Sequence, residues 1–118
     1  MKTIAEFAEL LEREQIETLH RRNLASLGNI QGCKTVIHVG KKYTRVDVGS
    51  SGKYMIVNDT GEIYGIKAYG VIHKGHKYGT LDTIDTFHWG EYQGIRKDKI
   101  VRVAIQKLDA DIREISKP

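Results

Sequence analysis

The residues best suited to chemistry lie between Glu62 and Leu81, a stretch rich in lysine, histidine and tyrosine. Its segment from Lys67 to Tyr78, which we expect to form a basic loop, contains three lysines and two histidines but no acid. Binding of single-stranded nucleic acid needs cations for the phosphates and rings for the bases. A second acid-free group of cations follows Cys33. We therefore predict a nucleic-acid site comprising Lys41, Lys42, Arg45, Lys67, Tyr69, His73, Lys74, His76, Lys77 and Tyr78.

These residue types also have a purely structural interpretation. Tyrosines in short strands are often part of a core, and lysines at turns are often simply solvated. Tyr64 in particular is expected to be a core residue. The two histidines can instead add positive charge that changes near neutral pH. Whether Lys41, Lys42 and Arg45 contribute to the site depends on whether the fold brings them close to the segment from Lys67 to Tyr78.

A metal site is the main alternative for the histidines. His73 and His76, together with His88, Asp82 and Asp85, have the donor atoms that zinc, iron or manganese prefers. However, Gly75 favours a loop over a helix that would hold both histidines on one face, and no HExxH signature occurs. We predict no metal and no other cofactor, and we keep a small metal-dependent hydrolase as the third functional hypothesis.

Nucleophilic chemistry has little support in the sequence. Cys33 precedes Lys34, which would lower the pKa of the thiol, but nothing identifies a histidine partner, so we interpret it as a half-buried thiol. The segment from Gly49 to Lys53 resembles a phosphate loop only superficially, because it lacks the GxxxxGK[ST] spacing. We predict no catalytic residue, and the sequence favours a binding protein over an enzyme.

Composition and charge are those of a soluble globular domain. The chain has 118 residues, one cysteine and a net charge of +4, which is enough for one domain with one core. The positive charge is concentrated in the middle and the tail, because residues 1–30 carry four bases and five acids. No apolar run reaches the length of a membrane span. We predict a cytoplasmic protein that does not bind membranes.

The first 29 residues predict one long helix. Thr3 and Glu6 form a capping-box pair, and apolar residues recur at helical spacing from Ile4 to Leu27. Gly28 is expected to end the helix. Residues 13–15 are all polar, so a break or a bend of the helix at this point is the alternative.

Residues 31–94 predict an antiparallel β region. Short runs of strand-forming residues alternate with glycine-containing turns, and the clearest hairpin turn is Asn58 to Gly61. The predicted strands are 34–39, 43–48, 53–58 and 62–69, and Gly65 and Gly70 would allow the last one to bend. We therefore predict a single α+β domain in which the N-terminal long helix packs on a strongly bent antiparallel β-sheet or a small SH3-like or OB-like barrel.

The remaining segments are less regular. A short strand is predicted for residues 83–89, with Trp89 either in the core or as an exposed anchor for a partner protein, and the core is favoured. Residues 95–118 fit two patterns, since Val101, Val103 and Ile105 alternate as in a strand whereas apolar residues from Ile100 to Ile115 also follow helical spacing. Because β-branched residues dominate the first half, we predict a strand at 99–108 followed by a short helix or a tail.

The sequence GEIYGIKAYG, followed by YGTLDTI, resembles short uncharacterised proteins encoded by bacteriophages and mobile elements. That resemblance implies a phage or bacterial context and no particular activity. If the protein does not bind nucleic acid, the second hypothesis is a protein-interaction module, such as an inhibitor or structural accessory protein acting on a host or phage protein. A homodimer through the long helix or a free sheet edge is compatible with either function.

Overall fold

A computed structural model describes residues 2–67 and 71–98 of the chain. In chain order the elements are α1 (Ile4–Arg21), α2 (Leu27–Gln31), β1 (Thr35–Val39), β2 (Tyr43–Val48), β3 (Ser51–Val57), β4 (Glu62–Ile66), β5 (Ile72–Thr80), a 3₁₀ helix (Leu81–Thr86), β6 (Phe87–His88) and β7 (Ile95–Arg96). The predicted α+β class is confirmed. The predicted tail strand at 99–108 lies outside the described residues.

The N-terminal helix begins as predicted and ends earlier. The Thr3 hydroxyl accepts a hydrogen bond from the amide of Glu6 at 3.1 Å, which caps the first turn. The helix has no break at residues 13–15 but stops at Arg21, and Asn23 adopts a left-handed conformation with φ of 57°. A single helix reaching Leu27 is therefore wrong, and Gly28 belongs to the short α2 instead.

Five strands form one antiparallel meander in the order β1-β2-β3-β4-β5. Among the described residues β1 and β5 are the two edge strands, and the sheet is open rather than closed into a barrel. The predicted hairpin turn before β4 is confirmed: Gly61 has φ of 74° and its amide donates to the carbonyl of Val57 at 2.8 Å. Side chains alternate along β2, with Thr44 and Val46 buried on the core face.

The core lies between one face of the sheet and α1, with the 3₁₀ helix completing it. Phe7 from α1, Tyr54 from β3 and Trp89 are almost fully buried, and their rings meet edge to face, which aromatic pairs prefer. The prediction that Trp89 is a core residue is thus confirmed. Tyr64 is half-buried on the opposite face, so its expected core position is wrong.

Two segments have a secondary structure that differs from the prediction. The basic loop expected from Lys67 to Tyr78 is largely strand, because β5 pairs with β4 from Ile72 onward. The strand expected at residues 83–89 is mostly the 3₁₀ helix, whose first turn is closed by the Thr83 hydroxyl accepting from the Thr80 amide at 2.9 Å. Local side-chain hydrogen bonds of this kind compete with strand pairing.

Candidate anion-binding cleft

A cleft of about 270 Å³ opens on the core face of the sheet, beside the aromatic core. It lies at the end of the sheet where β3 begins and β4 ends. Its walls come from β3, β4, β5 and the segment after β6, and its lining consists of Ser51, Gly52, Lys53, Tyr54, Gly65, Ile66, His73, His76, Tyr78, Tyr92 and Gln93. The lining residues are neutral or cationic and include no carboxylate.

The cation of the cleft is Lys53, which a β-bulge directs to this face. Val46 pairs with Tyr54 and Asp47 pairs with Gly52, so Lys53 is an extra residue between two pairs. A bulge of this type re-aims a side chain. The Lys53 ammonium lies 3.4 Å from the centroid of the Tyr92 ring and 3.4 Å from the Tyr92 carbonyl oxygen. Burial lowers the pKa of Lys53 because it removes water from the charged form.

The opposite wall is built by β5, whose pairing with β4 is irregular. Tyr64 faces Lys77, whereas the next residue, Gly65, faces His73. His76 and Tyr78 are two positions apart in β5 and so share a face, with the two rings stacked at 4.6 Å and the Tyr78 hydroxyl 3.4 Å from His76 Nδ1. The His73 ring meets His76 edge-on at 5.9 Å. Two imidazoles therefore line the same wall.

The hydroxyls of the buried cleft tyrosines, Tyr54 and Tyr78, are uncharged near neutral pH. Burial raises the pKa of Tyr54, which forms the floor, and raises that of Tyr78 as well. Their hydroxyls therefore remain protonated and can donate hydrogen bonds. Tyr92 differs from both because its side chain is 79% exposed. The lining thus combines an ammonium, two imidazoles and neutral hydroxyls, a set of groups that attracts anions.

Three acids near the cleft in sequence are each engaged by a cation: Glu91, next to Tyr92, pairs with Arg22, and Glu62 and Asp47 are engaged on the other face of the sheet. The Glu62 carboxylate accepts from the Lys77 ammonium at 2.8 Å and from the Tyr64 hydroxyl at 2.9 Å. These bonds hold the pKa of Glu62 at about 2. Asp47 accepts from Arg45 at 2.9 Å. Each of these carboxylates is therefore neutralised by a neighbouring cation.

The predicted binding residues divide into four groups. His73, His76 and Tyr78 line the cleft, and Lys67 and Lys74 are exposed neighbours of lining residues along the chain. Arg45 and Lys77 lie on the opposite face and pair with Asp47 and Glu62. Lys41 and Lys42 lie in the β1–β2 turn, where Asn58 hydrogen-bonds to their carbonyl oxygens. Tyr69 lies outside the described residues.

The fold does not bring the two cationic groups together. Asn58 belongs to the β3–β4 turn, so Lys41 and Lys42 lie at the end of the sheet where β4 begins. The cleft lies where β4 ends, because Gly65 is among its lining residues. The condition under which Lys41 and Lys42 would contribute to the same site is therefore not met.

Sequence reasoning missed Lys53 and Tyr92. They are 39 positions apart and meet only through the tertiary structure. The one available signal was the segment from Gly49 to Lys53, which resembles a phosphate loop superficially but in fact forms the β2–β3 turn and the start of β3. Nothing around Tyr92 marks it in the sequence.

The described residues do not form the metal site or the reactive thiol considered as alternatives. Among residues 2–67 and 71–98, no three histidine, cysteine or carboxylate side chains form a metal-binding group. His88 Nδ1 contacts the Glu14 carboxylate at 3.1 Å, and Asp85 pairs with Lys2. Cys33 is buried rather than half-buried, and burial together with the nearby charge of Glu12 raises its thiol pKa, contrary to the lowering expected from Lys34.

Comparisons with known proteins add no relative. No protein-family model matches the chain, and neither a curated protein nor a solved structure matches it significantly. Within the described residues, none of the helices has the length and apolar character needed to cross a membrane. The candidate function must therefore be argued from the cleft itself.

Proposed function

We propose that this protein is a small non-enzymatic binding protein that binds single-stranded nucleic acid at the cleft. The observation that supports this most directly is the Lys53 ammonium held over the Tyr92 ring in a lining that has no carboxylate. A phosphate at Lys53 would form a charge-assisted hydrogen bond, which is stronger than a neutral one.

The rings of the cleft suit an unpaired base better than a duplex. One face of Tyr92 carries Lys53, but the side chain is 79% exposed and offers its remaining surface to a ligand. Base–aromatic stacking needs an unstacked base, which a single strand presents and a duplex hides. His73 and His76 add hydrogen-bonding groups beside that ring and positive charge when protonated.

The test measures the binding of a fluorescently labelled oligonucleotide of about 12 nucleotides, with fluorescence anisotropy as the readout and the salt concentration increased stepwise. The wild-type protein is expected to bind single strands more tightly than the matching duplex, with affinity falling as salt rises. The variant Lys53→Gln should bind about tenfold more weakly, because a hydrogen bond to a charged group contributes about 1.5 kcal/mol. Its salt slope should fall by about 0.7, the value for one phosphate contact in a single strand.

Lys77→Gln is the matched control, since it removes the same charge from the opposite face of the sheet. Its affinity and salt slope should remain close to those of the wild type. Absence of binding at low salt would overturn the proposal, because electrostatic affinity is greatest there. Equal losses in Lys53→Gln and Lys77→Gln would show that net charge, rather than the cleft, determines binding.

A further inference from the structure

The loop that connects β6 and β7, residues 89–94, forms the part of the cleft wall beside Lys53. Tyr92 and Gln93 from this loop line the cleft. β6 and β7 pair over only two residues each, so the strands themselves fix little of the loop between them. Backbone groups that no strand or helix pairs need partners from side chains or water. The shape of the loop therefore depends on contacts with other elements.

Gln15 of α1 supplies two of these contacts. Its side-chain amide nitrogen donates to the carbonyl oxygen of Trp89 at 2.6 Å and to that of Glu91 at 2.8 Å. A glutamine amide has two N–H donors, so both are directed to this one loop. Gln15 is half-buried and is not among the residues that line the cleft. It therefore holds the loop without contributing to the cleft surface.

Two further contacts hold the loop against α1. The Arg22 guanidinium pairs with the Glu91 carboxylate. Gly90 packs so closely on the helix that a Cβ at this position would collide with the Thr18 hydroxyl, an approach that only glycine permits. Gln15, Thr18 and Arg22 are spaced i, i+3 and i+7, so they share one face of the helix. That face of α1 is the support on which the loop lies.

The position of the Tyr92 ring depends chiefly on the backbone that carries it, because the side chain is 79% exposed. The Lys53 ammonium lies 3.4 Å from the ring centroid, well within the 6 Å or so that a cation–π contact requires. Gln15 binds the carbonyl of Glu91, and Lys53 lies 3.4 Å from the next carbonyl oxygen, that of Tyr92. Adjacent peptide units are thus held from α1 and from β3. A shift of the loop would separate the ring from the ammonium.

We infer that Gln15 is a positioning residue of the cleft, which holds the β6–β7 loop so that the Tyr92 ring lies against the Lys53 ammonium. Without its two hydrogen bonds, the carbonyls of Trp89 and Glu91 lose their partner on α1 and the loop can move away from β3. Lys53 then loses the ring that fixes its ammonium in the cleft. The effect of Gln15 on affinity rests on the proposed function, whereas its effect on the contact between Lys53 and Tyr92 does not.

The contact can be measured without a ligand. Reductive methylation with ¹³C-formaldehyde labels the lysine amines and keeps their charge, and the Lys53 methyl signal is assigned by its absence in Lys53→Gln. In the wild type this signal should be displaced upfield, because nuclei over the face of a ring are shielded, and Tyr92→Leu should abolish the displacement. Gln15→Met, which keeps the side-chain length but has no donor, should lose most of it. Gln15→Glu also lacks the donor at neutral pH and should give the same result.

Thr3→Ala is the matched control, since it weakens α1 at its N-cap, far from the loop. It should keep the displaced Lys53 signal, whereas a folded Gln15→Met protein that also keeps it would overturn the inference.

Affinity for the single-stranded oligonucleotide provides the second measurement. Gln15→Met should bind about tenfold more weakly than the wild type, the loss expected when the Lys53 contact is removed. In the Tyr92→Leu background the same substitution should cause no further loss, because Gln15 acts through Tyr92. Equal losses in Gln15→Met and Thr3→Ala, or none in Gln15→Met, would contradict the positioning role. A wild type that binds no oligonucleotide would instead overturn the proposed function, and the Lys53 signal would still decide the role of Gln15.

Discussion

Replacing Phe7 with alanine should remove a main contact between α1 and the aromatic core. Phe7 is completely buried, and its ring centroid lies 4.8 Å from that of Trp89 and 5.6 Å from that of Tyr54. Truncating a buried phenylalanine costs about 3–5 kcal/mol, because transfer energy is lost and a cavity remains. We expect the upper part of this range, since two edge-to-face ring contacts are lost with the side chain.

Urea denaturation followed by tryptophan fluorescence measures this loss directly. Trp89 is the only tryptophan and is completely buried, so its emission reports its exposure to water on unfolding. The experiment compares both proteins at the same low micromolar concentration. A small domain is stable by about 5–15 kcal/mol, so the Phe7→Ala midpoint should shift to much lower urea.

Leu27→Ala is the control, because Leu27 is mostly exposed and its truncation should change stability by no more than about 0.5 kcal/mol. A Phe7→Ala loss below about 1 kcal/mol with an unchanged urea slope would refute the reasoning. It would mean that α1 does not pack on the sheet through this aromatic cluster. The floor of the cleft, which Tyr54 provides, would then need another explanation.

Two predictions concern ionisable groups. Burial and the charge of Glu12 raise the pKa of the Cys33 thiol. The native thiol should therefore react with Ellman's reagent much more slowly at pH 8 than the urea-unfolded thiol, and its rate should increase as pH rises. Equal rates for the native and unfolded thiols would contradict burial of Cys33. Glu62 has a pKa of about 2 in the folded protein against an ordinary 4.5, chiefly because of its bond with Lys77. Its contribution to stability is therefore present above about pH 4.5 and is lost as pH falls towards 2. The stability difference between wild type and Glu62→Gln, measured by urea denaturation from pH 5 to pH 2.5, should shrink as pH falls, and a constant difference would be inconsistent with the ion pair.

Several features of the fold follow from local sequence alone. The Thr3 cap needs only a hydroxyl three residues before an amide, and the turn at Gly61 needs only a residue that tolerates positive φ. The alternation in β2 is likewise visible as a pattern of period two. These signals act over a few residues, which is why the helix start, the hairpin and the core face of β2 were predictable.

The residue at which an element ends, and the choice between loop and strand, were less predictable because tertiary context decides them. The stripe of apolar residues continues to Leu27, yet the chain turns at Asn23 and uses Leu27 in a separate helix. The glycine and lysine content of residues 67–78 is typical of a loop, but pairing with β4 makes most of this segment a strand. Pairing with a neighbouring strand supplies backbone hydrogen bonds that local propensity does not record.

The candidate site depends on the tertiary structure more than any other feature. Sequence alone identified three of the cleft residues, His73, His76 and Tyr78, through their types and proximity in the chain. Lys53 reaches the cleft because one extra residue at the bulge changes the face that its side chain occupies. Lys77 is excluded because register places it opposite Tyr64, where Glu62 binds it. Charge and aromatic content are therefore properties of the sequence, whereas strand register decides which of those groups share a surface.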